Sequence, residues 1–194
     1  MGARTLFLAS GHGGADRGNT ASGFVEADEC VAIIGDVRRW FTAIGVPPSL
    51  GGAIFLDDGL DLNGQLQRLK LLRPTEADND LCLDWHLDFA ATRPAGGAMV
   101  ITNDRPAAKQ WAHDFLTQWC DATGIRSNGV HLGAVAAPKW RGWPDFGWTR
   151  PAWPACIVEL GSLNNARDMR IVRDPLSRAL AAHLAWACYK KTAL

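Results

Sequence analysis

Apolar residues recur along the chain with two periods, and the alternation between those periods lays out the elements. Arg4–Ser10 (RTLFLAS) is a short continuous apolar run ending at the glycine-rich turn Gly11–Gly14, which predicts a buried strand. From Glu26 to about Ala43 the spacing of Val31, Ile34, Val37, Phe41 and Ile44 follows the 3.6-residue period of a helix, which Gly45-Val-Pro-Pro then stops. Ala53–Leu56 predicts a short strand, and Leu62–Leu72 a helix with Leu66, Leu69 and Leu72 on one side. Asp80–Leu87 and Ala98–Thr102 predict strands. Asp104 is placed to cap a helix that has Pro106 in its first turn and runs to about Thr123. Gly129–Ala134 reads as a strand, Lys139–Pro154 as an irregular loop, Ala155–Leu160 as a buried strand, and Asp174–Lys191 as a closing helix.

Strands alternating with helices predict an α/β fold: one domain over residues 1–194, with a twisted, mostly parallel sheet and helices on both faces. A length of 194 residues suits a single domain. Composition then narrows the function classes. Lys+Arg 20 equals Asp+Glu 20, so the chain lacks the basic excess that nucleic-acid binding needs. No apolar run approaches the roughly 18–20 residues of a membrane span, and the start MGARTLFLASGHGG lacks the plan of a signal peptide. The cysteines Cys30, Cys82, Cys120, Cys156 and Cys188 are odd in number and widely spaced, and all but Cys120 sit in hydrophobic runs. Buried free thiols in a reducing compartment are expected.

In open α/β sheets chemistry gathers at the carboxyl ends of the strands. There the first strand delivers His12 within Gly11–Gly18, the Asp80–Leu87 strand delivers His86, and the Ala155–Leu160 strand delivers Glu159, while Glu26 opens the first helix. Two histidines and two carboxylates are the components of a catalytic zinc site, which uses three His/Glu ligands and a separate base. The four are 14, 60 and 73 residues apart in order, so only the fold can assemble them. Glu26 competes with Asp28 and Glu29, because acids in a first helical turn commonly just complement the helix dipole. Asp16 is read as fixing its loop through backbone N–H groups, and His113 and His183 as structural or surface residues. Glu159 in an apolar strand is hard to explain structurally without a partner.

The segments H12-G-G-A-D-R-G18, Glu26 at a helix start, W-H86-x-D, and I-V-E159-L-G-S-L-N-N165 resemble, in order, the zinc-dependent N-acetylmuramoyl-L-alanine amidases of the amidase-3 type. That family shows H-x-G-x-D-x-G, a helix-opening Glu, S-I-H-x-N-A and E-x-G-F-x-x-N. The resemblance implies zinc held by His12, Glu26 and His86, with Glu159 as the catalytic carboxylate that moves a proton from water to the leaving amine of L-alanine. The departures are Asp84-Trp85 where the family has Ser-Ile, Asp88 where it has Asn, and Ser162 where it has Phe; they bear on substrate fit. Trp85 should point away from the site into the core.

The implied substrate is peptidoglycan, glycan strand and stem peptide together, with a phage endolysin as the implied setting: a monomer held in the host cytoplasm until lysis. His131 and two residues of the tryptophan-rich loop, Trp143 and Trp148, are candidates for substrate contact. A related zinc amidohydrolase or carboxypeptidase, or a silent wall-binding module, is the alternative.

Overall fold

The computed structural model describes residues 4–49, 51–56, 59–72, 80–89, 96–133 and 154–192. Its central sheet takes β1 (Leu6–Ser10), β4 (Ala53–Phe55), β5 (Leu81–Asp88), β6 (Ala98–Thr102), β7 (Ser127–Leu132) and β8 (Ala155–Ser162) in the order β4-β1-β5-β8-β6-β7. All pairings are parallel except β6 against β8, so β6 and β7 run opposite to the other four. The mostly parallel sheet is as the sequence implies. A small hairpin, β2 (Thr20–Ala21) with β3 (Phe24–Val25), leads into the first helix. No periodicity announces two-residue strands.

Alternation along the strands sorts side chains into two layers. On one face Leu6, Leu8, Leu83, Trp85, Val100 and Val158 meet α1 (Glu26–Ala43), α3 (Pro106–Thr123) and α5 (Pro175–Thr192). On the other, Phe7, Cys82, Ile101 and Ile157 meet α2 (Leu62–Leu72) through Leu66, Leu69 and Leu72. Trp85 is wholly buried in the first layer, edge-on to Phe115 with ring centroids 5.9 Å apart. Cys30, Cys82, Cys156 and Cys188 are buried free thiols and Cys120 is half-buried, matching the hydrophobic runs that hold them.

Details depart from the sequence expectation for identifiable reasons. Val31 and Ile44 are exposed, and Cys30 and Ile33 join Ile34, Val37 and Phe41 on the inner stripe of α1. Val31 lies one residue round from that stripe, and Ile44 is already past the helix end. Asp104 does not cap α3; Arg105 occupies the N-cap without a side-chain bond, and Asp104 pairs instead with Lys109 Nζ at 2.7 Å. Asp174 does cap α5, accepting from the backbone N–H and hydroxyl of Ser177 at 3.0 Å. The short α4 (Ala166–Val172), unforeseen in the sequence, is capped by Asn165, whose side-chain oxygen accepts from the N–H groups of Arg167 and Asp168. Among the described residues no helix is long and apolar enough to cross a membrane.

Candidate metal centre

Three adjacent parallel strands, β1, β5 and β8, end at one edge of the sheet, and each delivers a polar side chain there. Gly11, just past β1, donates its N–H to Trp85 O at 2.8 Å, which pins the glycine turn carrying His12 against β5. His86 and Glu159 are register partners on β5 and β8, so they share a face. Glu26 is the first residue of α1, and its backbone N–H is held by Asn19 O at 2.8 Å. Folding thus brings His12, Glu26 and His86 together, with one donor atom from each lying within 4.8 Å of the others.

Each member is aimed by a neighbour. Asn19 donates its backbone and side-chain N–H to Glu26 Oε2, at 2.9 and 2.8 Å. That turns Oε1 toward His12 Nε2 at 3.1 Å and His86 Nδ1 at 3.3 Å. The outer nitrogens of both rings meet carboxylates: His12 Nδ1 with Asp16 Oδ2, and His86 Nε2 with Asp84 Oδ2, each at 2.9 Å. Asp16 also accepts from Gly18 N–H at 3.0 Å, the loop-fixing role its sequence position implies. Glycines provide the space, since a Cβ on Gly11 would lie 2.3 Å from the His86 ring and one on Gly18 2.6 Å from the His12 ring.

The electrostatics follow from burial and crowding. Burial opposes the charged form of His12, but the Glu26 and Asp16 carboxylates outweigh it and hold its pKa above the ordinary imidazole value. Burial opposes charge on His86 too, and Asp84 and Glu26 raise its pKa well above the ordinary value. Burial alone would raise the pKa of Glu26, yet the two imidazoles hold it well below the usual carboxylate range. Glu159 is the reverse case: burial pushes its pKa well up, against the pull of His86 and with the help of Glu26, Asp88 and Asp84. Both Glu159 oxygens lack a hydrogen-bond partner among the described residues.

The donor set fits zinc. Two imidazole nitrogens and one carboxylate oxygen are a common ligand set for a catalytic zinc, leaving a fourth position open. The carboxylate oxygen lies 3.1 and 3.3 Å from the two nitrogens, near the roughly 3.3–3.4 Å edge of a tetrahedron with bonds of about 2.0–2.1 Å, and all three atoms lie within 4.8 Å of one another. His12 Nε2 is buried, and the described group it faces is the Glu26 carboxylate at 3.1 Å.

Sequence position left Glu26, Asp28 and Glu29 in competition, and the structure separates them. Asp28 faces Arg17 on the surface at 3.3 Å, and Glu29 faces Arg178 at 3.1 Å. His131 is not part of the cluster: it stands on β7, two strands beyond β8, with its Nε2 2.9 Å from Asn128 O. Trp143 and Trp148 lie outside the described residues, and His113 and His183 are exposed on helices. Asn19 and the His-facing role of Asp84 escaped the sequence reading. Asp-x-His on a strand was the available signal for Asp84, since a spacing of two places both on one face.

A family model described as N-acetylmuramoyl-L-alanine amidase matches residues 6–188. Among curated protein sequences there is no significant match. Among solved structures, the catalytic domain of CwlV, an N-acetylmuramoyl-L-alanine amidase from Bacillus (Paenibacillus) polymyxa var. colistinus, is similar with a TM-score of 0.73 and 18% identity, covering 97% of each chain. An N-acetylmuramoyl-L-alanine amidase of Nostoc punctiforme is similar at TM-score 0.73 and 18% identity, over 98% of this chain and 97% of that one. The catalytic domain of an endolysin targeting Clostridia difficile is similar at TM-score 0.62 and 15% identity, over 96% and 97%. At such identities the likeness is one of fold.

Proposed function

This chain belongs to the N-acetylmuramoyl-L-alanine amidase family of the amidase-3 type, and from that premise we propose that it hydrolyses the amide between N-acetylmuramic acid and L-alanine in peptidoglycan. The observation that carries the reading is the convergence of His12, Glu26 and His86 at one sheet edge, with Glu159 in register beside His86. His12 Nε2, Glu26 Oε1 and His86 Nδ1 are the atoms that would hold zinc. Zinc, when bound, supplies Lewis-acid polarisation of the amide carbonyl and acidifies water.

The chain's own residues do the rest. Glu159 takes a proton from the attacking water and passes it to the alanine nitrogen as the C–N bond breaks, giving a lactyl acid and a free amine. A carboxylate suits such shuttling when its pKa is raised toward the working pH, and burial does this for Glu159. With no hydrogen-bond partner among the described residues, its oxygens are not committed elsewhere. Asn19 fixes the Glu26 carboxylate by two hydrogen bonds, and Asp16 fixes the His12 ring.

Residues 1–194 would act as one catalytic domain. A phage lysis enzyme, held in the host cytoplasm until the membrane is breached, is the setting we favour. Buried free thiols accord with a reducing compartment, and an endolysin catalytic domain shares the fold. Purified cell walls test the reaction. Turbidity should fall and new alanine amino termini should appear without new reducing sugars. Reducing ends, or hydrolysis of small amides alone, would refute it. Glu159→Gln should retain zinc and lose turnover; near-full rates would remove Glu159 as the base.

A further inference from the structure

Asp84 stands two residues before His86 on β5, so the pleat puts both side chains on one face. It is completely buried, and its Oδ2 lies 2.9 Å from His86 Nε2. Its other oxygen, Oδ1, is buried with no hydrogen-bond partner among the described residues. An ionised carboxylate in the interior needs a partner. The described partner of Asp84 is one imidazole rather than a guanidinium or a set of backbone donors. As a fold-stabilising element that is a poor arrangement.

The direction of the hydrogen bond gives the position another meaning. A carboxylate only accepts, so the proton of a neutral His86 sits on Nε2 and the lone pair falls on Nδ1. Nδ1 is the atom 3.3 Å from Glu26 Oε1, at the point where the three donor atoms converge. The other ring is handled differently. Asp16, which meets His12, is 40% exposed in its side chain and also holds the Gly18 N–H.

We propose that Asp84 is a positioning residue for the metal centre: from the opposite side of the ring it locks His86 into the tautomer and orientation that present Nδ1 to zinc. This rests on the metal reading above. Asp84 is one of this chain's departures from the resemblance, which has Ser at that place. A carboxylate behind the ring strengthens the imidazole as a ligand more than a hydroxyl can, because its charge attracts the N–H proton.

Zinc affinity of the purified chain, measured by competition with a chromogenic chelator, tests the proposal together with the melting temperature of the metal-free protein. Asp84→Ala should weaken zinc binding by about 10–100-fold with the metal-free chain still folded. Asp84→Asn keeps the shape and an acceptor oxygen without the charge, so it should fall between Ala and the native residue; it decides the case if the Ala variant does not fold. Native-like zinc affinity in both variants would overturn the proposal, as would a drop in metal-free melting temperature with zinc affinity intact. A native chain that takes up no zinc would overturn the metal reading itself, an outcome distinct from native binding that Asp84 does not affect.

Discussion

Helix α1 begins with two buried carboxylates three residues apart, Glu26 and Glu29, and they sit in opposite kinds of polar cluster. Glu29 meets Arg178 at 3.1 Å and Arg173 at 3.4 Å, and Arg178 also reaches Asp36 at 3.1 Å. These permanent guanidinium charges offset the acids, so the network between α1 and α5 is complete within the chain. Around Glu26 the carboxylates of Asp16 and Asp84 gather with two imidazoles, Glu159 stands in register beside His86, and the charged contacts described there include no lysine or arginine. Such a cluster is electrostatically incomplete: it must hold protons or take up a cation. A buried polar group that balances itself serves the fold, and one that does not is a candidate for chemistry.

The largest test of this contrast exchanges the two effects. Glu26→Gln or His86→Ala should abolish zinc uptake, measured by metal analysis after gel filtration, while the metal-free protein stays folded. Arg178→Met should do the reverse. Losing their shared buried partner leaves Glu29 to the more exposed Arg173 and Asp36 to Arg39, which should lower stability by about 1–3 kcal/mol in denaturant unfolding, with zinc affinity unchanged. If both variants lost both properties, the two clusters would be one cooperative unit and the contrast would fail. Next in size is Gly11→Ala, whose methyl would collide with the His86 ring; zinc affinity and turnover should fall together in chelator competition and wall-lysis assays.

A smaller effect concerns pH. His12 and His86 have raised pKa values in the metal-free fold, so they stabilise it below the ordinary imidazole pKa of about 6.5, and that contribution is lost as pH rises through the raised values. Zinc needs the same nitrogens unprotonated, so its affinity should increase over that rise. The melting-temperature gap between zinc-loaded and metal-free protein should therefore widen with pH; a constant gap would contradict the assignment of these ligands. Smallest is Gly35→Ala, in the middle of α1 with nothing nearer its added Cβ than Arg39 at 3.8 Å. It should raise stability by roughly 0.5–1 kcal/mol, seen as a higher melting temperature with no change at the site.

Much of the layout was legible in the sequence because it depends on local periodicity and on chain-ordered motifs. The strand before Gly11, the long α1 and the apolar runs of β5 and β8 repeat at their own intervals, and His86 and Glu159 stand near strand ends whatever the strands pair with. What escaped depends on who meets whom. Asn19 carries no signature of its partner, and the two-residue hairpin before α1 is too short for a period. The opposite run of β6 and β7 removes His131 from the edge where His12 and His86 meet, and strand direction leaves no mark on an apolar run.

By itself the sequence determined the longer elements, the α/β class and the short list of histidines and carboxylates, since side-chain period and turn chemistry are properties of neighbours along the chain. The tertiary structure decided which acid in the first turn of α1 faces the histidines. Glu26, Asp28 and Glu29 differ locally by no more than a rotation about the helix axis. Only the placement of Asn19, Arg17 and Arg178 around that axis gives each a different partner.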